Sequence, residues 1–495
     1  MTTVAERIGE IRAAPTGKKV AAFFDYDGTL IDGFSASAIT RSRIRSMEFG
    51  FGELASALLI ALRGVKSELD YADVLELTRP AFAGRTYAEL LEFGDRLFRH
   101  ETAARLRPQM WHIIREHRDM GHRIVIASSA TRFQIEPIAR EIEADDALAT
   151  DVEVVDGVVT GEITGRPLWG PGKAAAVRKL ARDNDIDLEA SFAYSDGDED
   201  IPYLESVGHP AAVSPRRGLR AEAEERGWPI IDLRNPSTGL LESAARTGAF
   251  YGTVIGSAAL GFTGSLLSRN RDVFVNLALP TGTDLGLALA GVNVSVLAGE
   301  RYLTSDRPCV FVFNHQSKLD APVLIHLVQK NATGVAKQEV KGVPVVGQIL
   351  DAAGVVFIDR THGSKAIEQL APVVKRLREG TSLVISPEGT RSPTPRIGPF
   401  KKGPFHIAIQ AGVPVVPIVL RNSGELMWRG DQLIKPGTVE VKVLPPVDTS
   451  DWRPENVGEY ADQVRRMFID TLTEWPVETF EDGRMTRSVT VVEQS

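Results

Sequence analysis

Short apolar runs that end abruptly in polar clusters recur along this chain. Val20 to Phe24 runs into Asp25-Tyr26-Asp27-Gly28-Thr29-Leu30. Ile124 to Ala127 stops at Ser128, and Phe192-Ala193-Tyr194 stops at Ser195-Asp196-Gly197-Asp198-Glu199-Asp200. Farther on, Val310 to Phe313 leads into Asn314-His315-Gln316-Ser317-Lys318-Leu319-Asp320. Leu383-Val384-Ile385 leads into Ser386-Pro387-Glu388-Gly389-Thr390-Arg391-Ser392. Val355 to Ile358 precedes Asp359-Arg360, and Val413 to Val419 is interrupted by prolines. Runs this short, rich in β-branched and aromatic residues, predict buried strands. Polar groups delivered at strand ends predict α/β sheets whose chemistry gathers along one edge. Val154 to Val159, folded around Asp156-Gly157, predicts a hairpin with a purely structural role.

The pattern changes in the middle. From Thr247 to Leu267 there is no charged residue, and glycines recur at 248, 252, 256, 261 and 264. That length approaches a bilayer span, and the spacing of Gly248, Gly252 and Gly256 permits close helix packing, including a possible homodimer. Arg269 and Arg271 follow, then a second apolar stretch from Val273 to Ala298 broken by Pro280 and Asp284. A single span would separate the two ends of the chain across a membrane. The expected arrangement is therefore a shallow helical hairpin in one leaflet, anchored by the arginines; two buried helices are the alternative. The mean hydropathy of −0.07 fits no polytopic protein.

Composition narrows the class. A chain of 495 residues exceeds one ordinary domain, and 43% hydrophobic with 25% charged residues is globular. The net charge of −8 argues against a general nucleic-acid binder. Cys309 is the single cysteine, so no internal disulfide can form, which fits a reducing compartment. Met1 to Lys19 is polar with no apolar core for a signal peptide, so synthesis in the cytoplasm without export is expected.

Two carboxylates two residues apart at a strand end, Asp25 and Asp27, can converge on one cation because Gly28 permits a sharp turn. Asp25 would then attack a phosphoryl group, while Asp27 would protonate the leaving oxygen and activate water. A surface turn or a calcium loop is the alternative for the segment taken alone. Lys173 follows Gly170-Pro171-Gly172 and opens a helical stretch from Ala174 to Leu180, a suitable place for a cation facing phosphate. The order D-x-D-G-T, Ser after a strand, Lys, then D-G-x-x-D resembles the phosphoserine-phosphatase-like branch of the haloacid-dehalogenase phosphatases. The resemblance implies a Rossmann-like parallel sheet and one Mg2+ held by Asp25, Asp27 through its carbonyl, and Asp196, with Asp200 beside it. It also implies that Ser128 and Lys173 hold the phosphoryl oxygens. The helical insert between Asp32 and Met120, with an apolar piece from Phe49 to Leu62, sits where this branch carries a cap. Gly33, Phe34 and Ser35 stand where an acidic residue usually holds the substrate amine, which argues against phosphoserine as substrate.

His315 at a strand end and Asp320 five residues on can meet only across a strand-to-helix turn, with Ser317 as a possible cap for a helix running to Val328. That arrangement suits a general base whose far ring nitrogen is held by a carboxylate. Together with F-I-D-R at Phe357–Arg360, P-E-G-T-R-S from Pro387 and V-P-V-V-P-I from Val413, it resembles the lysophosphatidate acyltransferases. The resemblance implies that His315, oriented by Asp320, deprotonates a glycerol hydroxyl that attacks an acyl thioester, from acyl-CoA or acyl carrier protein. Arg360, Arg391 and Lys337 would clamp the acceptor phosphate, and Glu388, Gly389 and Thr390 would shape its loop. Ser386 departs from the aromatic residue common before P-E-G. Lys401-Lys402 would join the basic surface.

The expected organisation is α/β throughout. A Rossmann-like haloacid-dehalogenase domain (18–235) carries a helical cap (about 33–120) and an apolar membrane-associated hinge (240–300) follows. A glycerolipid acyltransferase domain (301–450) comes next, then a C-terminal helix from Asn456 to Thr473 and a structureless polar tail within 451–495. The expected function is acylation of 1-acylglycerol 3-phosphate to phosphatidate, fused to a Mg2+-dependent phosphatase, at the cytoplasmic face of the membrane. The alternatives are another lysolipid or glycolipid acceptor, or a soluble-metabolite phosphatase tethered by the second half. A coupled route, in which phosphatidate made by one half loses its phosphate in the other, is a further expectation.

Overall fold

The computed structural model describes residues 2–39, 79, 82–165, 167–233, 240–270, 273–358, 371–429, 431–475, 478–481 and 484–487. The chain forms two compact units, Met1–Pro236 and Ser237–Ser495.

The first unit is built on a seven-stranded sheet of order β4-β3-β2-β1-β5-β6-β7. Its strands are β1 (Ala21–Phe24), β2 (Arg123–Thr131), β3 (Asp146–Val155), β4 (Val158–Thr164), β5 (Phe192–Ser195), β6 (His209–Val213) and β7 (Ile230–Ile231). All neighbours pair parallel except the β3–β4 hairpin, whose turn residues Asp156 and Gly157 both have positive φ, at 50° and 79°. β1 lies between β2 and β5, and Phe24 is in register with both Ile126 and Tyr194. The chain segments carrying Asp25, Ser128 and Asp196 therefore leave the same edge of the sheet side by side.

Two boundaries differ from expectation. The unit begins before residue 18, with a helix at Val4–Ala13 closed by a capping box between Thr3 and Glu6. Its buried anchor is charged, which hides it from a hydrophobic pattern. Arg7 is 1% exposed, its Nε donates to the Tyr194 hydroxyl at 3.1 Å and its Nη2 to the His209 carbonyl at 2.7 Å. The insert also closes early. Leu106 bridges to Ile31, and the helix Pro108–Asp119 packs on the N-terminal helix with His117 edge-on to Phe192 at 4.8 Å. That helix belongs to the core layer, so the cap ends near residue 106 rather than 120. Phe49 to Leu62 lies outside the described residues.

The second unit has a seven-stranded sheet of order β11-β10-β12-β9-β13-β14-β8. The strands are β8 (Val292–Ala298), β9 (Val310–Phe313), β10 (Ala332–Lys337), β11 (Val356–Ile358), β12 (Ser382–Ile385), β13 (Val415–Leu420) and β14 (Gly437–Val443). β9 is central and parallel to both neighbours, β12 and β13. Successive side chains of a strand point to opposite faces. Phe311 and Phe313 accordingly enter one apolar core, with Val323, Leu324 and Leu287, while Val310 and Val312 enter the other, with Phe405 and Phe468.

The expected hinge of 240–300 divides differently. A helix at Leu240–Ser268 packs against a second at Leu279–Ala290, which Gly291 ends in a left-handed turn at φ 73°. Residues 292–298 then form β8, paired along β14, so this stretch belongs to the sheet. Its Val-Asn-Val-Ser-Val alternation has the period of a strand, which its apolar surroundings obscured. Close packing between the two helices uses Gly261 and Gly282. A Cβ there would lie 2.2 Å from Ala278 and 2.3 Å from Ser257, whereas Gly248, Gly252 and Gly256 face open space. Phe250 and Leu287 bury against the core, but Leu241, Leu260, Leu266 and Leu267 are 64–88% exposed. The buried-helix alternative fails for the first helix, since only 17% of its most apolar window is covered. Leu241–Ser268, and Val273–Ala290 when the π-helical turn before the second helix is counted with it, are long and apolar enough to cross a membrane by length and composition alone.

A C-terminal helix spans Val457–Thr473 as expected, but the tail departs from expectation. Arg484–Arg487 pairs antiparallel with Glu478–Glu481.

Candidate active sites

β9 ends at Phe313, and Asn314 anchors the turn beyond it. Its Nδ2 donates to the Leu420 carbonyl at 2.7 Å, and its Oδ1 accepts from the Leu420 amide at 2.8 Å. A side chain thus prolongs the β9–β13 pairing, freeing the main chain to turn. His315 comes next, its ring edge-on to Phe313 at 5.6 Å. Its Nδ1 lies 2.7 Å from Asp320 Oδ2. The same oxygen accepts from the amides of Gln316 at 2.7 Å and Ser317 at 2.8 Å, and Oδ1 accepts from the Ser423 hydroxyl at 2.5 Å. Asp320 is fully buried and opens the helix Asp320–Val328, where the helix dipole favours a carboxylate. Every neighbour is a donor, so Asp320 is an acceptor and the His315 proton sits on Nδ1. Nε2 is left as a lone-pair base, with the side chain 27% exposed to approach.

Adjacent β12 delivers Glu388. Its Oε2 accepts from the His315 amide at 2.8 Å and its Oε1 from the Gly398 amide at 3.2 Å. Through these two bonds it clamps the segment that carries His315. Burial pushes its pKa up to about 7, against the pull of the two amides. A carboxyl whose folded pKa is raised stabilises the fold fully below its unfolded value of 4.5, and that contribution is lost as pH rises through about 7. The loss is on the order of 3 kcal/mol for a group 8% exposed. Glu388→Gln, which cannot ionise, is expected to cost stability at pH 5, and the gap to wild type should narrow by that amount towards pH 8. Melting of both proteins across this range checks it; a gap that stays constant would show that Glu388 does not titrate there.

Gly389 has φ 75°, a conformation that favours glycine. Thr390 is exposed and Arg391 half-buried. Arg391 Nη1 is buried without a hydrogen-bond partner, as is the Ser386 hydroxyl. Lys337 is exposed at the end of β10, which β12 separates from β9. Arg360 lies outside the described residues. Asn314 and Ser423 were given no role in the sequence reading; Ser423 stands 103 residues from Asp320, and no local pattern marks it.

In the first unit, Asp25 leaves β1 with its amide donating to the Tyr194 carbonyl at 3.0 Å. Lys173, on the helix Pro171–Asp183, reaches Asp25 Oδ1 at 3.0 Å and Asp200 Oδ2 at 2.5 Å. Ser195 Oγ donates to that same Asp200 oxygen at 2.6 Å. Asp200 is thereby engaged by Lys173 and Ser195 through one oxygen, Oδ2. Burial would discharge Lys173, but Asp200 and Asp25 outweigh it and keep the ammonium charged. Burial drives Asp25 well above the carboxylate range, with the charges of Asp200 and Asp196 adding to it and Lys173 opposing.

The Asp27 side chain turns to Ser35, accepting from its amide at 2.7 Å and its hydroxyl at 2.9 Å. Gln134 donates to Ser35 Oγ at 2.9 Å, a support that the sequence reading missed. Burial pushes Asp27 up to about 6, a value suited to both giving and taking a proton. Asp196 is likewise pushed up to about 6 by burial, offset by Arg216, whose Nε lies 3.8 Å from its Oδ2. Ser128 is fully buried, its Oγ accepting from the Ala130 amide at 3.2 Å.

Among the described residues no three acidic, histidine or cysteine side chains converge as a metal-ligand group. With Asp27 and Asp200 committed elsewhere, the donors are the carboxylates of Asp25 and Asp196 and the Asp27 carbonyl. Hard oxygens of this kind suit Mg2+. The carboxylate of Asp196 lies where a Gly28 Cβ would be, at 2.2 Å, so the glycine turn brings it against the Asp25–Asp27 segment. A cation there would favour the ionised form of both acids against the burial that raises them.

Known proteins resemble each unit separately. Residues 22–205 match the model for haloacid dehalogenase-like hydrolases, and residues 295–421 match the acyltransferase model. The phosphoserine phosphatase SerB1 of Mycobacterium tuberculosis is 33% identical over 267 residues, covering 53% of this chain and 85% of that protein. The 1-acyl-sn-glycerol-3-phosphate acyltransferase of Cocos nucifera is 36% identical over 182 residues, 36% of this chain and 59% of that protein. The enzyme of the same name from Saccharomyces cerevisiae is 34% identical over 189 residues, 38% of this chain and 62% of that protein. The chain thus spans about three-fifths of these two acyltransferases. It belongs to the haloacid dehalogenase-like hydrolases, and behind that hydrolase domain it carries an acyltransferase domain.

Proposed function

We propose that the C-terminal unit acylates the sn-2 hydroxyl of 1-acylglycerol 3-phosphate, forming phosphatidate, with acyl-CoA or acyl carrier protein as donor. His315 Nε2 takes the hydroxyl proton as the oxygen attacks the thioester carbonyl. The C–S bond breaks and the departing thiolate takes the proton back from the imidazolium, which Asp320 stabilises meanwhile. The observation that carries this reading is the His315–Asp320 pair, locked in one tautomer with Nε2 open, inside an acyltransferase domain. A thioester is already activated, so positioning and charge complementarity suffice.

The N-terminal unit hydrolyses phosphomonoesters in this reading. Asp25 attacks phosphorus, and the leaving oxygen takes a proton from Asp27. Asp27 then takes a proton from water as that water's oxygen attacks the aspartyl-phosphate, freeing Asp25 and inorganic phosphate. Lys173 and Ser128 bind the phosphoryl oxygens. Mg2+ held by Asp25, Asp196 and the Asp27 carbonyl would supply positive charge against the transferring phosphate.

The exposed leucines of the helical pair support work at the cytoplasmic membrane surface. One experiment tests transfer and place together. The full chain is incubated with vesicles containing lysophosphatidate and labelled acyl-CoA, then sedimented. Label in phosphatidate and protein in the pellet are expected. Soluble protein without labelled phosphatidate, with carrier-protein donor as well, would sink the reading.

A further inference from the structure

Lys318 sits between the base and its orienting carboxylate, and it is held in an unusual electrostatic position. Its Nζ donates only to neutral oxygens, Gln432 Oε1 at 3.0 Å and the Asp431 carbonyl at 3.4 Å. The Asp431 carboxylate is engaged by Lys435 at 3.6 Å. Asp320 is consumed by His315, two amides and Ser423, and Glu388 by two amides. Among the described residues Lys318 therefore has no carboxylate partner.

The same loop holds a second cation. Arg429 donates to the Arg391 carbonyl at 2.7 Å, and Ser317 donates to the Met427 carbonyl at 2.7 Å. Met427, Arg429, Asp431 and Gln432 thus pin Ser317, Lys318 and the main chain of Arg391 beside the His315 turn. Burial and the charge of Arg391 depress the Lys318 pKa, and the charge of Asp431 only partly opposes them. Arg391 Nη1 is buried with no acceptor. Two half-buried cations that make no ion pair among the described residues suit an anion, and one bearing two negative charges answers both.

We propose that Lys318 and Arg391, positioned by Arg429, Asp431 and Gln432, together bind the phosphomonoester of the acceptor and set the preference for a dianionic over an uncharged glycerolipid. The inference rests on the acceptor reading above and adds Lys318 and its loop as the selecting element.

Two measurements test it. In the full chain, acetylation of Lys318 is followed by peptide mass spectrometry in micelles of lysophosphatidate, monoacylglycerol, or monoacylglycerol with inorganic phosphate. Lysophosphatidate alone is expected to slow labelling, by roughly fivefold or more for a charge-assisted contact. In the transfer assay Lys318→Met should raise KM for lysophosphatidate roughly tenfold with kcat within about twofold, and Lys318→Arg should restore most of the loss. Labelling decides if the two disagree. Equal labelling in all three conditions, or equal protection by inorganic phosphate, overturns the proposal. Protection without any acyl transfer by wild type would instead overturn the proposed reaction and leave the phosphate site standing.

Discussion

His315→Ala is expected to lower acyl transfer by roughly a thousandfold or more, the scale of losing a positioned general base. The fold should survive, because the ties of this residue to the clamp are made by its main chain. Its amide donates to Glu388 at 2.8 Å and its carbonyl accepts from Ser392 at 2.6 Å, and alanine keeps both. Asp320 would keep three of its four donors, the two amides and Ser423. The measurement is single-turnover transfer from labelled acyl-CoA with lysophosphatidate saturating, beside thermal melting. Transfer within tenfold of wild type, from a normally melting variant, would mean that His315 is not the base. Phosphatase activity in the same preparation serves as the internal control.

Asp25→Asn is expected to abolish phosphomonoester hydrolysis by a comparable factor, since the amide oxygen cannot form the acyl phosphate. Lys173 would lose one of its two carboxylate partners but keep Asp200 at 2.5 Å, so the ammonium stays charged and placed. Removing one of several crowded, buried acids also relieves mutual repulsion, so the variant should melt no lower than wild type. Hydrolysis of a soluble monoester and hydroxylamine-sensitive phosphorylation of the chain are the readouts, with acyl transfer as control. Retained phosphorylation in Asp25→Asn would move the nucleophile elsewhere.

The motifs were readable because the candidate side chains stand at or just beyond the ends of buried strands. Asp25 and Asp196 directly follow β1 and β5, His315 follows β9 after Asn314, and Glu388 follows β12 after Ser386 and Pro387. A run of apolar residues marks the strand, and the first polar residue beyond it must lie at the sheet edge. Parallel neighbours then bring those edges together without further information from the chain.

What failed in the sequence reading failed for identifiable reasons. Arg7 anchors a core helix through hydrogen bonds rather than apolar contact, so the N-terminal segment read as surface. β8 alternates at the strand period but follows directly on an apolar helix, and composition outweighed period. Pro108–Asp119 looked like cap because it continues a helical insert, whereas its packing partner lies about a hundred residues earlier, at Val4–Ala13.

The sequence by itself determined two α/β units, the order of their strand-end motifs, the candidate acids and bases, and the change to an apolar helical stretch after residue 239. Only the tertiary structure decided how those groups are used. It gave Asp200 to Lys173 and Asp27 to Ser35, locked the His315 tautomer through Asp320 and Ser423, tied Asn314 to Leu420, and set Lys318 Nζ on neutral oxygens of Asp431 and Gln432. Strand-end placement is a local consequence of burying an apolar run, so it is written in neighbouring residues. The hydrogen-bond partners of a buried polar group come from any strand or loop that the packing brings near, and separations of 70 to 110 residues carry no periodicity to read.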